Sequence, residues 1–455
     1  MGGQHAAPAP PLAHLAPRRP LLPPEKKKKN FHTLLYIHRQ VNIVPTLYWK
    51  DDSSDLSKVG RCNPDGWAET QKVDAYCARY VWDQPCEEYS ASRPELTRRF
   101  ADGFRACLQE AHDLFDDVLI SPHLDDGTLS GHWRNMLVMD PLQKDRNGFS
   151  YYDIMIKPIA EAARAVYAPG NPKKTLYFGL QGEMGGTVFH HPQSYLKIVK
   201  ALKDTTLKGN GAVDLGVMFN HGYIPGVINR GPDVVGAIPE SKFWKHDGGF
   251  GPILPFAQWP HYEQLKAAVP HLKTLFSELD FFGVSNYARA GAEPTISDLE
   301  SAIRKQNAEL KEMGIDWAKY TQDPSKKFFM NEFAIGGGIS ECGDTPAKVG
   351  PEAGLFPWLG NTKQFRGPES NPLLNPSVYD YVHRYYAKAM ELFRAGGDQF
   401  KIDGVFLWNV VSWDVQGIHP ASGRYGGGPE ETYADRAIMQ WVKDHNAKYA
   451  GKASK

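Results

Sequence analysis

Leu176-Tyr-Phe-Gly-Leu-Gln-Gly-Glu183 is an apolar run of strand length that ends in a glycine turn and a carboxylate. Its residues 176–180 do not alternate between polar and apolar, as expected of a strand that helices cover on both faces. Strands of that kind belong to parallel sheets. In a closed parallel barrel, the carboxyl ends of the strands carry the chemistry. The pattern returns about 150 residues later in Phe328-Phe-Met-Asn-Glu332, again with a glutamate just past a buried run.

Outward from these two runs the chain keeps one rhythm. Short apolar runs stand at 41–48, 118–121, 176–180, 215–219, 281–284, 328–330 and 405–408. Between them lie stretches at helical spacing, such as Leu96, Phe100, Phe104, Cys107, Leu108 and Ala111, and later Val378, Tyr381, Val382, Tyr385, Tyr386, Ala389 and Leu392. Ser92 with Glu95, and Ser297 with Glu300, have the spacing of a capping box. Strands alternating with helices predict βαβ units. No glycine-rich phosphate turn follows the first run, so a (β/α)8 barrel is expected over a doubly wound sheet. Counting places Glu183 after strand four and Glu332 after strand seven, which makes 41–48 strand two, preceded by a helix at 31–40. Strand one is then either degenerate or missing, and an open barrel would expose two sheet edges.

The domain organisation expected is a Pro/Ala/Lys-rich tail over 1–30 and one catalytic-type barrel over 31–450. The tail lacks the apolar core of a secretory signal, and Ala6 stands where a myristoylation signal needs Ser or Thr. No apolar run approaches the roughly 18 residues of a membrane span. With 52 basic and 52 acidic side chains, nucleic acid and anionic membrane are disfavoured as partners. Three of the five cysteines, Cys62, Cys77 and Cys86, crowd one polar stretch. Two readings stand: a disulfide in an extracellular or endomembrane compartment, or unpaired thiols in a reducing one.

Two carboxylates on barrel strands half a turn apart are the minimum equipment for glycosidic bond cleavage, one protonating the leaving oxygen and one attacking the anomeric carbon. Phe281-Phe-Gly-Val-Ser-Asn-Tyr287 adds a tyrosine at the end of strand six, and Gly404-Val-Phe-Leu-Trp408-Asn409 a tryptophan at the end of strand eight. In the order and spacing of these motifs, residues 41 to 445 resemble the clan of retaining (β/α)8 glycosidases that includes cellulases, β-mannanases and β-galactosidases. The resemblance implies Glu183 as proton donor, Glu332 as nucleophile, Tyr287 as the partner orienting it, and Trp408 as a sugar platform. It implies a carbohydrate substrate and no cofactor or metal. The clan has Asn directly before the strand-four Glu. Here Gly182 stands there, with Gln181 one residue back and, by alternation, expected on the same side as Glu183.

His123 and Asp125 after strand three and Asn220 after strand five are further candidates for binding sugar hydroxyls, the alternative being turn hydrogen bonds at Asp125-Asp126-Gly127. Long loops follow Phe219, with Trp244, Phe250 and Trp259, and Glu332, with Gly336-Gly337-Gly338 and Trp358. They are expected to shape a cleft. A metallohydrolase lacks its H-x-H or H-E-x-x-H, and a serine hydrolase its G-x-S-x-G. A carbohydrate-binding barrel without activity is the second reading.

Overall fold

The computed structural model describes residues 40–50, 69–77, 93–127, 133–167, 174–220, 222–229, 252–287, 290, 293–335, 376–408 and 435–449. All of them fall in one unit, Ile37–Lys455. In chain order its elements are β1 (Gln40–Ile43), β2 (Thr46–Lys50), β3 (Ala75–Cys77), α1 (Pro94–Leu114), β4 (Asp117–Ile120), β5 (His123–Asp126), α2 (Lys157–Val166), β6 (Thr175–Gly182), α3 (Gly185–His190), α4 (Pro192–Ala201), β7 (Val213–Phe219), α5 (Tyr262–Glu278), β8 (Phe281–Asn286), α6 (Ile296–Leu299), α7 (Ser301–Glu312), α8 (Trp317–Thr321), β9 (Lys327–Phe333), α9 (Pro376–Ala395), β10 (Gly404–Leu407) and α10 (Arg436–Tyr449).

Seven strands form one sheet in the order β1-β4-β6-β7-β8-β9-β10. Every neighbouring pair in it is parallel. This is the α/β architecture of a (β/α) barrel, with the seven strands standing where strands two to eight were expected. No ladder joins β10 to β1 among the described residues, so the cylinder is nearly closed. Across that seam Gln40 Oε1 lies 3.4 Å from where a side chain on Gly404 would begin. The barrel's lower interior is filled by Leu119, Tyr177, Met218, Phe281, Phe329 and Phe406, one from each strand except β1. The outer layer packs helices onto the other strand faces, as in the cluster of Phe276, Phe282, Trp317 and Phe328.

One predicted run is cut by a proline and another is stopped by one. The run 41–48 becomes β1 and β2, separated at Pro45, and 118–121 is followed after Pro122 by β5. Proline has no N–H for a ladder, so each strand ends there and its continuation leaves the barrel. The continuations make a second sheet, β3-β2-β5, beyond the carboxyl ends of β1 and β4. It lifts His123 and Asp125 onto the barrel mouth.

The caps depart from expectation. Helix α1 starts at Pro94 with no side-chain cap at Arg93. The capping box near residue 297 is Thr295 with Asp298. Glu300, expected as its partner, is instead buried, accepting the backbone N–H groups of Asp398 and Gln399. Cys107 lies on the exposed side of α1. Cys77 is disulfide-bonded, with its partner outside the described residues. The expected helix at 31–40 also falls outside them, except Gln40, which belongs to β1. No described helix is long and apolar enough to cross a membrane.

Candidate functional site

Strict alternation would put Asn331 on the inside of β9 and turn Glu332 outward. A bulge changes this. Val284 pairs with Met330 but Ser285 with Glu332, so β9 carries one residue more than β8. Asn331 takes up the slack, donating from Nδ2 to Ser285 Oγ at 3.2 Å while its carbonyl accepts from Asn42 Nδ2 at 2.7 Å. Glu332 thereby shares the inward face of Ser285. Strand β6 has the same device: Gly179 pairs with Gly216 and Gly182 with Met218, three steps against two. Bulges of this kind re-aim side chains beside functional sites.

Past the second bulge Glu183 adopts a left-handed backbone, φ +57°, a conformation that costs a non-glycine residue about 1 kcal/mol or more. Its N–H is held by the carbonyl of Met218 at 3.0 Å. Its side chain is buried, and its Oε2 accepts from Arg134 Nη1 at 2.5 Å. The same guanidinium donates from Nε and Nη2 to Asp125 Oδ1, at 3.0 and 2.5 Å. Burial works against the charge of Arg134, but Asp125, Glu183 and, further off, Glu332 outweigh it and raise its pKa.

Glu332 is 2% exposed. Its Oε2 accepts from the Tyr287 hydroxyl at 2.5 Å, and its Oε1 lies 3.4 Å from His123 Nε2. Burial, helped by Arg134, pushes the His123 pKa well below its usual value, so the ring is neutral near pH 7. A neutral imidazole offers one N–H and no charge. The ring occupies a space that only glycine leaves open: a Cβ on Gly182 would sit 2.6 Å from His123 Cδ2 and 2.8 Å from Nε2. One histidine thus touches Glu332 on one side and the residue before Glu183 on the other.

The remaining sequence candidates are distributed as follows. Asp125 lies within β5 and anchors Arg134 rather than closing a turn. Gln181 is fully buried and its Oε1 caps the backbone N–H of Met184 at 2.7 Å, so it holds the turn that carries Glu183. The register shift in β6 breaks the alternation that was to align Gln181 with Glu183. Asn220 is buried at the end of β7, its carbonyl taken by Gln306 Nε2 at 2.9 Å. Trp408 is half-buried past β10, with its N–H on the carbonyl of Phe333. Trp259 packs its loop, donating from Nε1 to Leu254 O. Trp244, Phe250, Trp358 and the glycines 336–338 lie outside the described residues.

Sequence reasoning missed Arg134. It sits eight residues past the end of β5 in a short turn, Arg134–Met136. Asn135 beside it fastens the turn, accepting from Gly185 N at 3.1 Å and donating to Tyr223 O at 2.5 Å. Among the described residues no group of three or more His, Cys, Asp and Glu could hold a metal ion. A surface groove of about 550 Å³ opens between α1 and α2, on the outer wall, and shares no residue with the site.

No family model matches the chain, and no curated protein matches it. Among solved structures it is similar to a fungal β-1,4-galactanase, at 12% identity and a TM-score of 0.31 over 75% of this chain and 82% of the other. It is similar also to a β-glucosidase from Thermotoga maritima in complex with castanospermine, at 12% identity and a TM-score of 0.28 over 91% of this chain and 96% of the other.

Proposed function

We propose that the chain is a retaining glycoside hydrolase that cleaves a β-linked oligo- or polysaccharide, with Glu183 as acid/base and Glu332 as nucleophile. The observation that carries this reading is the presence at the barrel mouth of two buried glutamates with different partners, Glu332 on the β9 bulge and Glu183 in the left-handed turn that ends β6. Glu332 meets a phenol that holds Oε2 and a neutral imidazole 3.4 Å from Oε1, neither of which carries a charge that would quench it as a nucleophile. Glu183 meets a guanidinium that it shares with Asp125.

In the first half-reaction Glu332 attacks the anomeric carbon while Glu183 gives its proton to the departing oxygen. In the second, Glu183 takes a proton from water and the resulting hydroxide oxygen displaces Glu332. Retention needs the two carboxyl groups about 5 Å apart. Tyr287 keeps Oε2 of Glu332 oriented, and Trp408 offers a flat face to a sugar ring. No cofactor enters these steps.

The test is hydrolysis of a panel of aryl β-glycosides and of mannan, glucan, xylan and galactan, with the anomeric configuration of the first-formed product read by NMR. Glu332→Ala should abolish turnover, and Glu183→Gln should reduce it by about 10²- to 10⁴-fold on substrates needing protonation. Undiminished activity in Glu332→Ala would sink the assignment. A second reading, a barrel that binds sugar without cleaving it, is favoured by the ion pair on Glu183, since a guanidinium partners a carboxylate and not a carboxylic acid. It predicts saturable binding by calorimetry with no product.

A further inference from the structure

The ion pair on Glu183 is shared, and the sharing is unequal. Asp125 holds Arg134 through two nitrogens, Nε and Nη2, whereas Glu183 has only Nη1. Asp125 is also the more exposed acid, with 36% of its side chain open against 7% for Glu183. A guanidinium anchored to a partly solvated carboxylate can release the buried one without losing all its partners. That is what a proton donor needs from a neighbouring cation, since full pairing would fix Glu183 as an anion.

The charged groups that act on Arg134 are Asp125, Glu183 and, further off, Glu332. From β9 comes Glu332, a second carboxylate. From β5 comes His123, uncharged near neutral pH for the reasons given above. From the end of β8 comes Tyr287, whose hydroxyl is committed to Glu332. Arg134 is the cation paired with Glu183, and Asp125 competes with Glu183 for the same guanidinium.

We propose that Arg134, divided between Asp125 and Glu183, is a positioning residue that sets the pH at which Glu183 gives up and regains its proton, with Asp125 as counterweight. The inference rests on the acid/base reading of Glu183. No bond to Arg134 forms or breaks. The proton passes between Glu183 and the glycosidic or water oxygen, while the guanidinium shifts its hydrogen bonds toward Asp125 as Glu183 becomes neutral and back as it ionises.

The two partners should act in opposite senses. Removing the guanidinium in Arg134→Gln withdraws support from the Glu183 anion, so the proton is held to higher pH. Removing the competing charge in Asp125→Asn leaves Arg134 to Glu183 alone, so the proton is lost at lower pH. Protein labelled with [δ-¹³C]glutamate would be titrated by NMR, with the Glu183 resonance assigned by its loss in Glu183→Gln. The expected result is a midpoint raised by about 1 pH unit or more in Arg134→Gln and lowered in Asp125→Asn. The alkaline limb of kcat/KM should move in parallel, and Arg134→Lys should fall between wild type and Arg134→Gln.

Midpoints that stay put, or move the same way in both variants, would overturn the proposal. Because Asp125 is partly exposed, Asp125→Asn is the safer variant for folding, and failure of its downward shift is decisive alone. Wild-type protein that hydrolyses nothing would remove the glycosidase reading. The opposed NMR midpoints are measured without turnover, so the two failures stay distinguishable.

Discussion

Tyr287 Oη stands 2.5 Å from Glu332 Oε2, and this bond is the most direct probe of the surroundings of Glu332. A hydrogen bond to an ionised group contributes about 1.5–3 kcal/mol. Tyr287→Phe keeps the ring and deletes the donor. The variant should lose about 10- to 100-fold in kcat/KM, with little change in melting temperature. A drop confined to KM would mean that the phenol contacts substrate and not Glu332. At this scale the site was partly legible. Both glutamates, Tyr287 and His123 follow buried runs, and an apolar run that stops at a polar side chain is a local signal. Arg134 had no such signal: it ends no apolar run, and only the folding of its turn against β5 and α3 brings it to Asp125 and Glu183.

Elements show why some polar positions were read correctly for their location but not for their direction. The β6 bulge puts Gly182, not Gln181, on the inward face, and an extra residue in one strand leaves no trace in hydrophobic periodicity. Prolines did leave a trace, yet the consequence of Pro45 and Pro122 is tertiary: they end two barrel strands at one level, so that β2 and β5 pair with each other. His123 stands on this second sheet, and the end of β6 must make room for its ring. Gly182→Ala would bring a Cβ to 2.6 Å from His123 Cδ2 and 3.2 Å from the Pro122 carbonyl. Overpacking of this kind costs about 1–3 kcal/mol. The variant should show that loss in urea unfolding together with reduced turnover, because the displaced ring leaves Glu332. Combining it with His123→Ala should recover part of the stability. A full, undiminished cost in the double variant would place the strain elsewhere.

For the whole molecule, the alternation of buried strands with amphipathic helices was enough to give the parallel barrel and its strand order, since consecutive βαβ units have few other ways to pack. The seam between β10 and β1 was legible only as a count. The acid response of the fold was not legible at all, because it depends on burial far along the chain. His190, on α3, is pushed down to about 4 by burial first and then by His261 and His191. Asp214, on β7, is pushed up to about 6, again by burial first and then by Asp280, against the pull of Lys203 and Lys327. The signs oppose. A histidine whose folded value lies below its unfolded 6.5 contributes stability that is present above pH 6.5 and lost as pH falls toward 4. A carboxyl whose folded value lies above its unfolded 3.8 contributes stability that is present below about pH 4 and lost as pH rises through 6. Each is worth on the order of 1–2 kcal/mol after allowance for partial solvation. In the window from pH 6.5 to 4 they largely cancel, so wild-type stability there should vary little on their account. His190→Gln should therefore gain stability relative to wild type as the pH is lowered from 6.5 to 4, and Asp214→Asn should lose it. Urea unfolding at half-unit pH steps would measure both slopes. Parallel slopes for the two variants would show that these two groups do not govern the acid response, which would then have to be sought among the ion pairs of the barrel mouth.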